Sequence, residues 1–338
     1  MTQPEQVNSG TTDSNRALAV VFDRPGELSL RSLPLADPGP GEVVVNIHWS
    51  GISTGTERLL WTGDMPPFPG LAYPLVPGYE SVGVVEKTGP DCTLAVGQTV
   101  FVPGANCYGD IRGLFGGTAS RLVTAEQRIR PIADSLGRDG ALLALTATAY
   151  HALLGNAEGT GPEQKLPGLI VGHGVLGRLL ARLVIALGGD APTVWETNPE
   201  RRQGAEGYEC IAPDQSAKTR YHGIVEASGA KGIINRLLPY LEPRGEIVLA
   251  GFYSDPVSFD FPLAFMKEAR FRIAAEWKPS DFDAVCELAQ AQPDLLGNLI
   301  THCLPADRPL EAYQTAFDDP RCLKMILDWR KEPNRHDP

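Results

Sequence analysis

The sequence predicts an α/β protein in which a β-rich domain precedes a doubly wound parallel sheet. From residue 17 to about residue 132, glycine and proline interrupt short apolar runs, as in a small curled sheet. After residue 138, longer helical stretches alternate with buried strands, as in a parallel sheet. The predicted organisation is a tail at 1–16, domains at 17–138 and 139–277, a segment at 278–330 that returns to the first domain, and a tail at 331–338.

Each predicted element corresponds to a specific run of residues. The strands predicted in the first domain are ALAVVF, GELSLRSL, GEVVVNIHWSG, SVGVVEKTG, QTVFVPG and ASRLVTAE. Residues 59–80 contain so many prolines and aromatic residues that we expect a long ordered loop beside a pocket. The elements predicted in the second domain are the helix DGALLALTATAYHALLG and the strands GLIV, PTVWE, GIVEAS and GEIVLAGF, with RFRIAAEW as a candidate edge strand.

Composition and charge exclude several classes of function. The chain has 338 residues, 43% of them apolar, and a formal net charge of -11, which would repel nucleic acids and anionic membranes. Its six cysteines are scattered without a CxxC pair, so we expect neither a disulfide framework nor a structural zinc ribbon. The start of the chain is polar, and no run reaches the ~20 apolar residues of a membrane span. We expect a cytoplasmic protein without an integral membrane segment or a nucleic-acid partner, acting on a small molecule.

The sequence GHGVLG follows an apolar strand and opens a helix. In this context the first glycine permits a tight turn, the second lets backbone N–H groups approach a pyrophosphate, and the third lets helix and strand pack closely. Along the helix, apolar residues from Val175 to Leu187 share one stripe, whereas Arg178 and Arg182 face away from it. The predicted cofactor contacts in the motif are Gly172, His173, Gly174, Val175, Leu176 and Gly177.

Glu196 ends the next predicted strand, nineteen residues after Gly177. A carboxylate at this position accepts hydrogen bonds from ribose hydroxyls and repels a 2′-phosphate, which favours NAD over NADP. Arg201 and Arg202 lie just beyond and are the residues that would hold such a phosphate, although solvated helix positions explain them more simply. For His173, a role in backbone geometry is favoured over proton transfer near the cofactor.

The order of these motifs resembles the medium-chain alcohol dehydrogenase and reductase superfamily over residues 17–330. The motifs are SGISTGTE (50–57), PGYESVGVV (77–85), GQTVFV (97–102), TATAYHAL (146–153), VGHGVLG (171–177) and GEIVLAGF (245–252). The resemblance implies a GroES-like catalytic domain followed by a Rossmann domain. The predicted cofactor site also includes Thr148, Ser228 and Gly251, which lie in or directly after these motifs and the predicted strands.

The resemblance also identifies the positions where zinc-dependent members of the superfamily bind their metal. Those members use a Cys, a His and a third ligand that is Cys or an acid. Here the positions hold Ser53 (or Thr54, with a one-residue offset), Tyr79 and Ala144, and none of these is a good zinc ligand. The four-cysteine lobe is also missing, because Cys107 stands alone in that region. We therefore expect neither a catalytic nor a structural zinc.

A narrower resemblance runs nearly from end to end, to the bacteriochlorophyllide a dehydrogenases of bacteriochlorophyll synthesis. It rests on SGISTGTERLLWTGDMPPFPG, YPLVPGYESVG, FVPGANCYGDIRGLFGG, VGHGVLGRLLARL, LAGFYS and CLKMILDWR. It implies NAD-dependent oxidation of the 3-(1-hydroxyethyl) group of a bacteriochlorophyllide to a 3-acetyl group. Two alternatives stay open: a zinc-free NADPH-dependent reductase that resembles quinone reductases, and a non-catalytic NAD-binding protein.

Without zinc, the proton of the alcohol requires a protein group within hydrogen-bond reach. The superfamily resemblance brings two turns together around the former metal position, and a catalytic cluster is expected there. The predicted members of this cluster are Tyr79, Glu80, Thr56 and Ser53. In the alternative, which is equally open, Tyr79 fills the vacated space and Glu80 binds a backbone N–H or an arginine. His48 and His151 are less favoured bases, since a histidine in an apolar element is usually structural.

A flat macrocycle requires a wide apolar slot with aromatic walls. The residues predicted to line this substrate pocket are Trp61, Phe68, Tyr73 and Phe252. The competing explanation is packing, either in a core or across a subunit interface, because the segment after the last Rossmann strands commonly pairs across a dimer in this superfamily. The expected partners are therefore a bacteriochlorophyllide and, as an open alternative, a second copy of the chain in a homodimer.

Overall fold

The computed structural model of the chain describes residues 15–67, 69–155, 165–253 and 256–330. The first half contains β1 (Arg16–Arg24), β2 (Glu27–Pro34), β3 (Glu42–Ile52), α1 (Thr56–Thr62), β4 (Ser81–Thr88), β5 (Thr99–Val102), β6 (Arg121–Ala125), β7 (Arg130–Pro131) and α2 (Leu143–Leu154). The second half contains β8 (Leu169–Val171), α3 (Val175–Ala186), β9 (Thr193–Trp195), β10 (Glu209–Ile211), β11 (Tyr221–Glu226), α4 (Ile233–Leu237), β12 (Leu241–Leu249), α5 (Phe261–Met266), β13 (Arg270–Ile273), α6 (Pro279–Ala291), β14 (His302–Pro305), α7 (Pro309–Asp318) and β15 (Met325–Asp328).

Strand β3 is the centre of the first domain. Its sequence, EVVVNIHWSGI, is rich in valine and isoleucine, which suit a strand that is buried along most of its length. It pairs antiparallel with β4, β6 and β15, and the seven-stranded sheet runs β14-β15-β3-β4-β5-β7 with β6 beside β3. Strands β1 and β2 form a separate antiparallel pair. Each of the six runs predicted as strands in this domain forms a strand.

The second domain contains a six-stranded parallel sheet in the order β10-β9-β8-β11-β12-β13. The strand order reverses between β8 and β11, and sheets of this type bind ligands outside the carboxyl ends of the strands at such a reversal. The predicted doubly wound sheet is confirmed, and the candidate edge strand RFRIAAEW contains β13. Strand β10 was not predicted, because its three residues, ECI, carry too short an apolar pattern to be recognised.

The segment at 59–80 is only partly a loop. Helix α1 covers Thr56–Thr62 and ends at Gly63, whose φ of 80° gives a left-handed C-terminal cap. The predicted loop is therefore wrong for residues 59–62. The physical reason is that Leu60, with no exposed surface, packs into a core with Val20 and Phe22, and this burial stabilises two short helical turns.

The described residues include every cysteine, and all of them are free thiols. These thiols are Cys92, Cys107, Cys210, Cys286, Cys303 and Cys322. Within the described ranges, no helix is both long enough and apolar enough to cross a membrane.

The arginines of helix α3 do not simply face away from its apolar stripe. Arg182 is only 8% exposed and donates to the backbone carbonyls of Asp294, Leu295 and Gly297, at 2.7 to 3.2 Å. Arg178 is half-buried and binds carbonyls of the segment at 201–204. The prediction missed these contacts because helical periodicity shows which residues are apolar and does not show which backbone carbonyls lie across from the polar face.

We expect Arg182→Met to lower the free energy of unfolding by about 3 kcal/mol, because buried carbonyl oxygens lose a charged donor. Denaturant titration followed by circular dichroism measures this loss. Arg24→Met is the matched control, since water screens the exposed pair of Arg24 with Glu27 and its loss should leave the free energy of unfolding nearly unchanged. Equal stability of the two variants would contradict the assignment.

Candidate active site

Three hydroxyl groups lie close together where strand β3 ends and strand β4 begins. The pairing of Ser50 with Ser81 brings the end of β3 beside the start of β4. Residue Ser53 therefore lies next to Tyr79, whose phenol donates to Ser53 Oγ at 2.6 Å. Thr56, at the start of α1, places its Oγ1 3.4 Å from the same phenol oxygen. The structure thus brings together three of the four residues predicted for the catalytic cluster.

The Tyr79 ring is half-buried and packs against one neighbouring aromatic ring. Phe115 contacts it edge-on, with ring centres 5.0 Å apart and planes at 66°. Burial, followed by the neighbouring charge of Glu80, raises the pKa of the Tyr79 phenol far above its ordinary value, although hydrogen bonds with Ser53 and Thr56 act in the opposite direction. The raised pKa keeps the phenol protonated at neutral pH, so it can donate and accept hydrogen bonds there.

Glu80 belongs to an ion pair rather than to the hydroxyl cluster. Its carboxylate binds the ammonium of Lys324, and the two residues are 0% and 1% exposed. Gly51 makes this approach possible, since a Cβ there would lie 2.5 Å from Glu80 Oε2 and 2.9 Å from Lys324 Cε. Of the two explanations left open for Glu80, pairing with a cation describes the structure, with lysine in place of the expected arginine.

Glu57 is a second buried acid beside the cluster, and it was not predicted. It has no exposed surface and accepts from the backbone N–H of Ser53 at 3.0 Å and from the phenol of Tyr313 at 2.6 Å. Burial raises its pKa to about 7, against the effect of both hydrogen bonds. Its signal in the sequence was weak: an acid in the motif SGISTGTE reads as an ordinary first-turn residue of a helix.

The glycine turn has the geometry that a pyrophosphate requires. Gly172 has a φ of 97°, and a Cβ at Gly177 would lie 1.9 Å from the carbonyl oxygen of Gly172. By contrast, a Cβ at Gly174 would meet no atom within 4 Å, so open space lies over the middle of the turn. Two glycines are therefore required by the fold itself, while the third leaves room for a ligand at the start of α3.

Glu196 and His173 are coupled through the backbone of this turn. The N–H of His173 donates to Glu196 Oε2 at 3.0 Å, and the N–H of Asn198 donates to Glu196 Oε1 at 2.8 Å. A carboxylate has about four acceptor positions, so capacity for ribose hydroxyls remains. Arg201 and Arg202 are half-buried rather than solvated, and Arg201 Nε donates to the carbonyl of Pro320 at 3.2 Å.

The imidazole of His173 faces the protein interior. Its Nδ1 lies 2.6 Å from the carbonyl oxygen of Arg201, so Nδ1 carries the proton, and Nε2 accepts from the Tyr208 hydroxyl at 2.7 Å. Burial lowers its pKa to about 4, which keeps the ring neutral. The ring therefore anchors the segment at 201–208, in agreement with the structural role favoured for it.

Glu226, at the end of β11, is a further acid that the sequence analysis missed. It is fully buried and accepts from the N–H and hydroxyl of Ser228, from the N–H of Gly229 and from the phenol of Tyr253. A Cβ at Gly251 would lie 3.5 Å from its Oε2. Glu226 thereby joins the loops after β11 and β12, and a Cβ on Gly172 would reach within 3.1 Å of Ser228.

A cavity of about 440 Å³ lies at the carboxyl ends of β8, β9 and β11, beside the reversal in strand order. Its lining residues are Val171, Gly172, Trp195, Glu196, Thr197, Pro213, Asp214, Ser228, Ala230, Ile233, Arg236, Leu237 and Tyr240. Apolar side chains on its walls suit a flat base, and Glu196 suits a ribose. The residues present therefore fit a dinucleotide.

The remaining predicted residues are more dispersed. Thr148 is half-buried and donates to the carbonyl of Ala144 at 3.0 Å, while Val175 is buried and Leu176 half-buried at the start of α3. Trp61 and Tyr73 pack against the core around Phe22, as the packing alternative expects. Phe252 is 53% exposed after β12. Phe68 lies outside the described residues.

The two histidines considered as bases have other partners. His151 Nδ1 lies 2.9 Å from Asp281 Oδ2, which is the satisfied arrangement expected for it. His48 is half-buried beside Trp49, and its pKa is lowered first by burial and then by Arg330. Across the described ranges, no three His, Cys, Asp or Glu side chains are grouped so that they could hold a metal ion.

Comparisons with known proteins agree with this architecture. Residues 39–134 match the alcohol dehydrogenase GroES-like domain family. The fold is similar to that of a short chain alcohol dehydrogenase from E. coli CFT073, whose crystal structure contains NADH, with a TM-score of 0.78 at 20% identity over 93% of this chain and 100% of that chain.

Two curated relatives are much closer in sequence. The 2-desacetyl-2-hydroxyethyl bacteriochlorophyllide A dehydrogenase of Rhodobacter capsulatus is 55% identical over 92% of this chain and 98% of its own length. The protein of the same name from Cereibacter sphaeroides is 55% identical over 93% of this chain and 99% of its own. Identity at this level, across nearly the full length of both relatives, means that the chain belongs to the 2-desacetyl-2-hydroxyethyl bacteriochlorophyllide A dehydrogenase family, within the medium-chain dehydrogenase superfamily.

Proposed function

We propose that the chain oxidises the hydroxyethyl group of a bacteriochlorophyllide to an acetyl group. The sequence resemblance implies position 3 of the macrocycle for this substituent, which the names of the relatives number 2. The observation that carries the proposal is the 55% identity to two dehydrogenases named for this substrate, over almost their whole length. The cofactor cleft and the hydroxyl cluster supply the two parts that alcohol oxidation requires, a hydride acceptor site and a group that binds the alcohol.

The cofactor is a nicotinamide dinucleotide, and we propose that it is NAD. The cavity beside the glycine turn contains Glu196 at the end of β9, where its charge favours ribose hydroxyls and opposes a 2′-phosphate. Arg201 reaches the carbonyl of Pro320, which leaves it less available to a phosphate. Arg236 lines the same cavity and is the cation that would act in the opposite direction.

The proposed chemistry uses the hydroxyl cluster to orient the alcohol. Bound oxidised nicotinamide supplies the hydride acceptor. The C–H bond breaks with its electron pair, the O–H electrons form the carbonyl, and the proton leaves through the hydroxyl groups to water. Tyr79 donates its single proton to Ser53 and accepts from Thr56 at 3.4 Å, so one lone pair of its oxygen remains to accept from the substrate hydroxyl. Thr56, half-buried beside the exposed residues Thr54 and Gly55, lies on the path to solvent.

We propose that this reaction proceeds without zinc. The residue types support the proposal: Ser53, Tyr79 and Ala144 occupy the positions of the superfamily's metal ligands, and none is a preferred zinc ligand. A hydroxyl-bearing carbon attached to a conjugated macrocycle tolerates the positive charge that develops as hydride departs. The substrate thereby supplies part of the stabilisation that a Lewis acid otherwise gives.

An anaerobic assay of the purified protein with hydroxyethyl bacteriochlorophyllide a tests the function and the cofactor together. We expect NADH formation with a red shift of the macrocycle spectrum, faster with NAD than with NADP. Glu196→Ala should reduce the preference for NAD over NADP. Glu200 is an exposed acid nearby, and Glu200→Ala should leave this preference unchanged. Binding of NAD without turnover would instead support a non-catalytic protein, and turnover that requires NADPH and an activated double bond would support a reductase.

Tyr79→Phe should lower kcat about 10- to 100-fold, because the substrate hydroxyl loses the group that orients it. The variant should still fold, since one hydrogen bond contributes only about 1 kcal/mol to the free energy of unfolding. Tyr108→Phe is the matched control: this buried phenol donates to the carbonyl of Gly116 at 2.7 Å, away from the cluster. Steady-state kinetics of the two variants measure this effect. A wild-type kcat in Tyr79→Phe would show that Tyr79 has no part in the mechanism.

We also propose that the protein is a homodimer joined at strand β13. This strand pairs only with β12 among the described strands, and its Ile273 is 77% exposed. Phe261, Phe265 and Met266 of the adjacent helix α5 are 65%, 67% and 77% exposed. A strand edge with exposed apolar side chains beside it invites pairing with another strand, and a second copy of β13 satisfies it.

Light scattering after gel filtration should give twice the chain mass of 36.4 kDa for the wild type. Ile273→Asp should give the monomer mass, because a charge at the strand edge is costly to bury. Val96→Asp, at a 63% exposed site on the other domain, should leave the mass unchanged. A monomeric wild type would overturn the proposal.

A further inference from the structure

The buried acid Glu57 connects the hydroxyl cluster to the C-terminal part of the chain. It lies in the first turn of α1, directly after Thr56. One of its oxygens accepts from the backbone N–H of Ser53 at 3.0 Å, and the other accepts from the phenol of Tyr313, in α7, at 2.6 Å. Ser53 in turn accepts from Tyr79 at 2.6 Å. A continuous series of short contacts therefore runs from α7 to the phenol at the proposed reaction centre.

The ionisation of Glu57 is set by the groups that face it from each neighbouring element. Burial and the charge of Glu80, just before β4, favour the neutral acid. The Tyr313 phenol of α7, the backbone N–H of Ser53 and the ammonium of Lys324, just before β15, favour the carboxylate. The Tyr79 phenol is also close enough for its own pKa to respond to the charge of Glu57. These opposing effects leave the pKa of Glu57 at about 7, so the group titrates in the neutral range.

Protonation changes which hydrogen bonds the side chain of Glu57 can accept. The carboxylate accepts from two donors with charge assistance, and charge-assisted bonds are about twice as strong as neutral ones. A backbone N–H can only donate, so the Ser53 contact weakens when the acid is neutral. The Tyr313 contact must reverse or lose its charge. The N-cap residue of helix α1 is Gly55, which has no side chain to cap the helix, so the Glu57 carboxylate takes the N–H group of Ser53 instead.

We propose that Glu57 is the positioning residue of the hydroxyl cluster: its carboxylate, held by Tyr313, fixes the backbone of Ser53 so that Ser53 Oγ is set to accept from Tyr79. This proposal rests on the proposed function of the cluster. It assigns no contact between Glu57 and the substrate. Its effect on turnover is transmitted through Ser53, which aligns the Tyr79 oxygen with the hydroxyl group of the substrate.

The pH dependence of kcat in three proteins tests the proposal. In the wild type we expect kcat to fall as the pH drops through about 7. Tyr313→Phe should move this limb to higher pH, because a donor that stabilises the carboxylate is removed. Glu57→Gln should abolish the limb and lower the plateau about tenfold, with KM for the dinucleotide unchanged. Tyr108→Phe should keep the wild-type profile, since a merely structural loss does not move a titration.

An unchanged limb and a kcat within twofold of the wild type in Glu57→Gln would overturn the proposal. A second measurement separates this failure from failure of the proposed function. Difference infrared spectra should show a carboxyl band that titrates near neutral pH in the wild type and is missing in Glu57→Gln, whether or not any substrate turns over. A crystal structure of Glu57→Leu, whose side chain has no acceptor for the Ser53 N–H, should show the Tyr79 phenol beyond hydrogen-bond distance from Ser53 Oγ. A wild type without the titrating band, or a variant that keeps this bond, contradicts the assignment.

Discussion

The ion pair between Glu80 and Lys324 is the interaction on which the catalytic domain depends. It joins the turn before β4 to the segment before β15, and both side chains are almost without exposed surface. Removing two charges from water is expensive, and leaving one of them unpaired costs about 3–5 kcal/mol. The approach is possible only because residue 51 has no Cβ. The position of Tyr79, one residue before Glu80, follows from this constraint.

Acidic side chains act throughout the molecule as acceptors for backbone N–H groups at strand ends. Glu196 holds the turn at His173, Glu226 holds the loop at Ser228, and Glu57 holds Ser53. Each carboxylate accepts from an N–H group in the turn or loop that follows a strand, where this group would otherwise lack a partner. A chain with 41 acidic and 30 basic residues therefore uses part of its negative charge internally, to fix loops beside the cofactor cavity and the hydroxyl cluster.

The sequence was sufficient for features that follow from local periodicity and spacing. The strands of the first domain, the parallel sheet and the turn at 172–177 each carry a pattern within a few residues of chain. The contacts of Arg182, Glu57 and Glu226 depend instead on residues more than a turn away or on backbone groups, which periodicity does not encode. Trp61 and Tyr73 show a related limit, because aromatic residues suit a pocket wall and a core equally well until their neighbours are known.

The union of the first domain with the last part of the chain has a consequence for biosynthesis. Lys324 lies 244 residues after Glu80, and Tyr313 lies 256 residues after Glu57. While the polypeptide emerges from the ribosome, both acids are synthesised long before their partners. Burying either acid without its partner would be unfavourable, so both stay solvated. The β-rich domain therefore stays incompletely folded while the Rossmann domain, which lies between the acids and their partners in the sequence, is translated and becomes able to fold. The nascent chain is thus expected to form the cavity beside the glycine turn before the hydroxyl cluster of Ser53, Thr56 and Tyr79 is assembled.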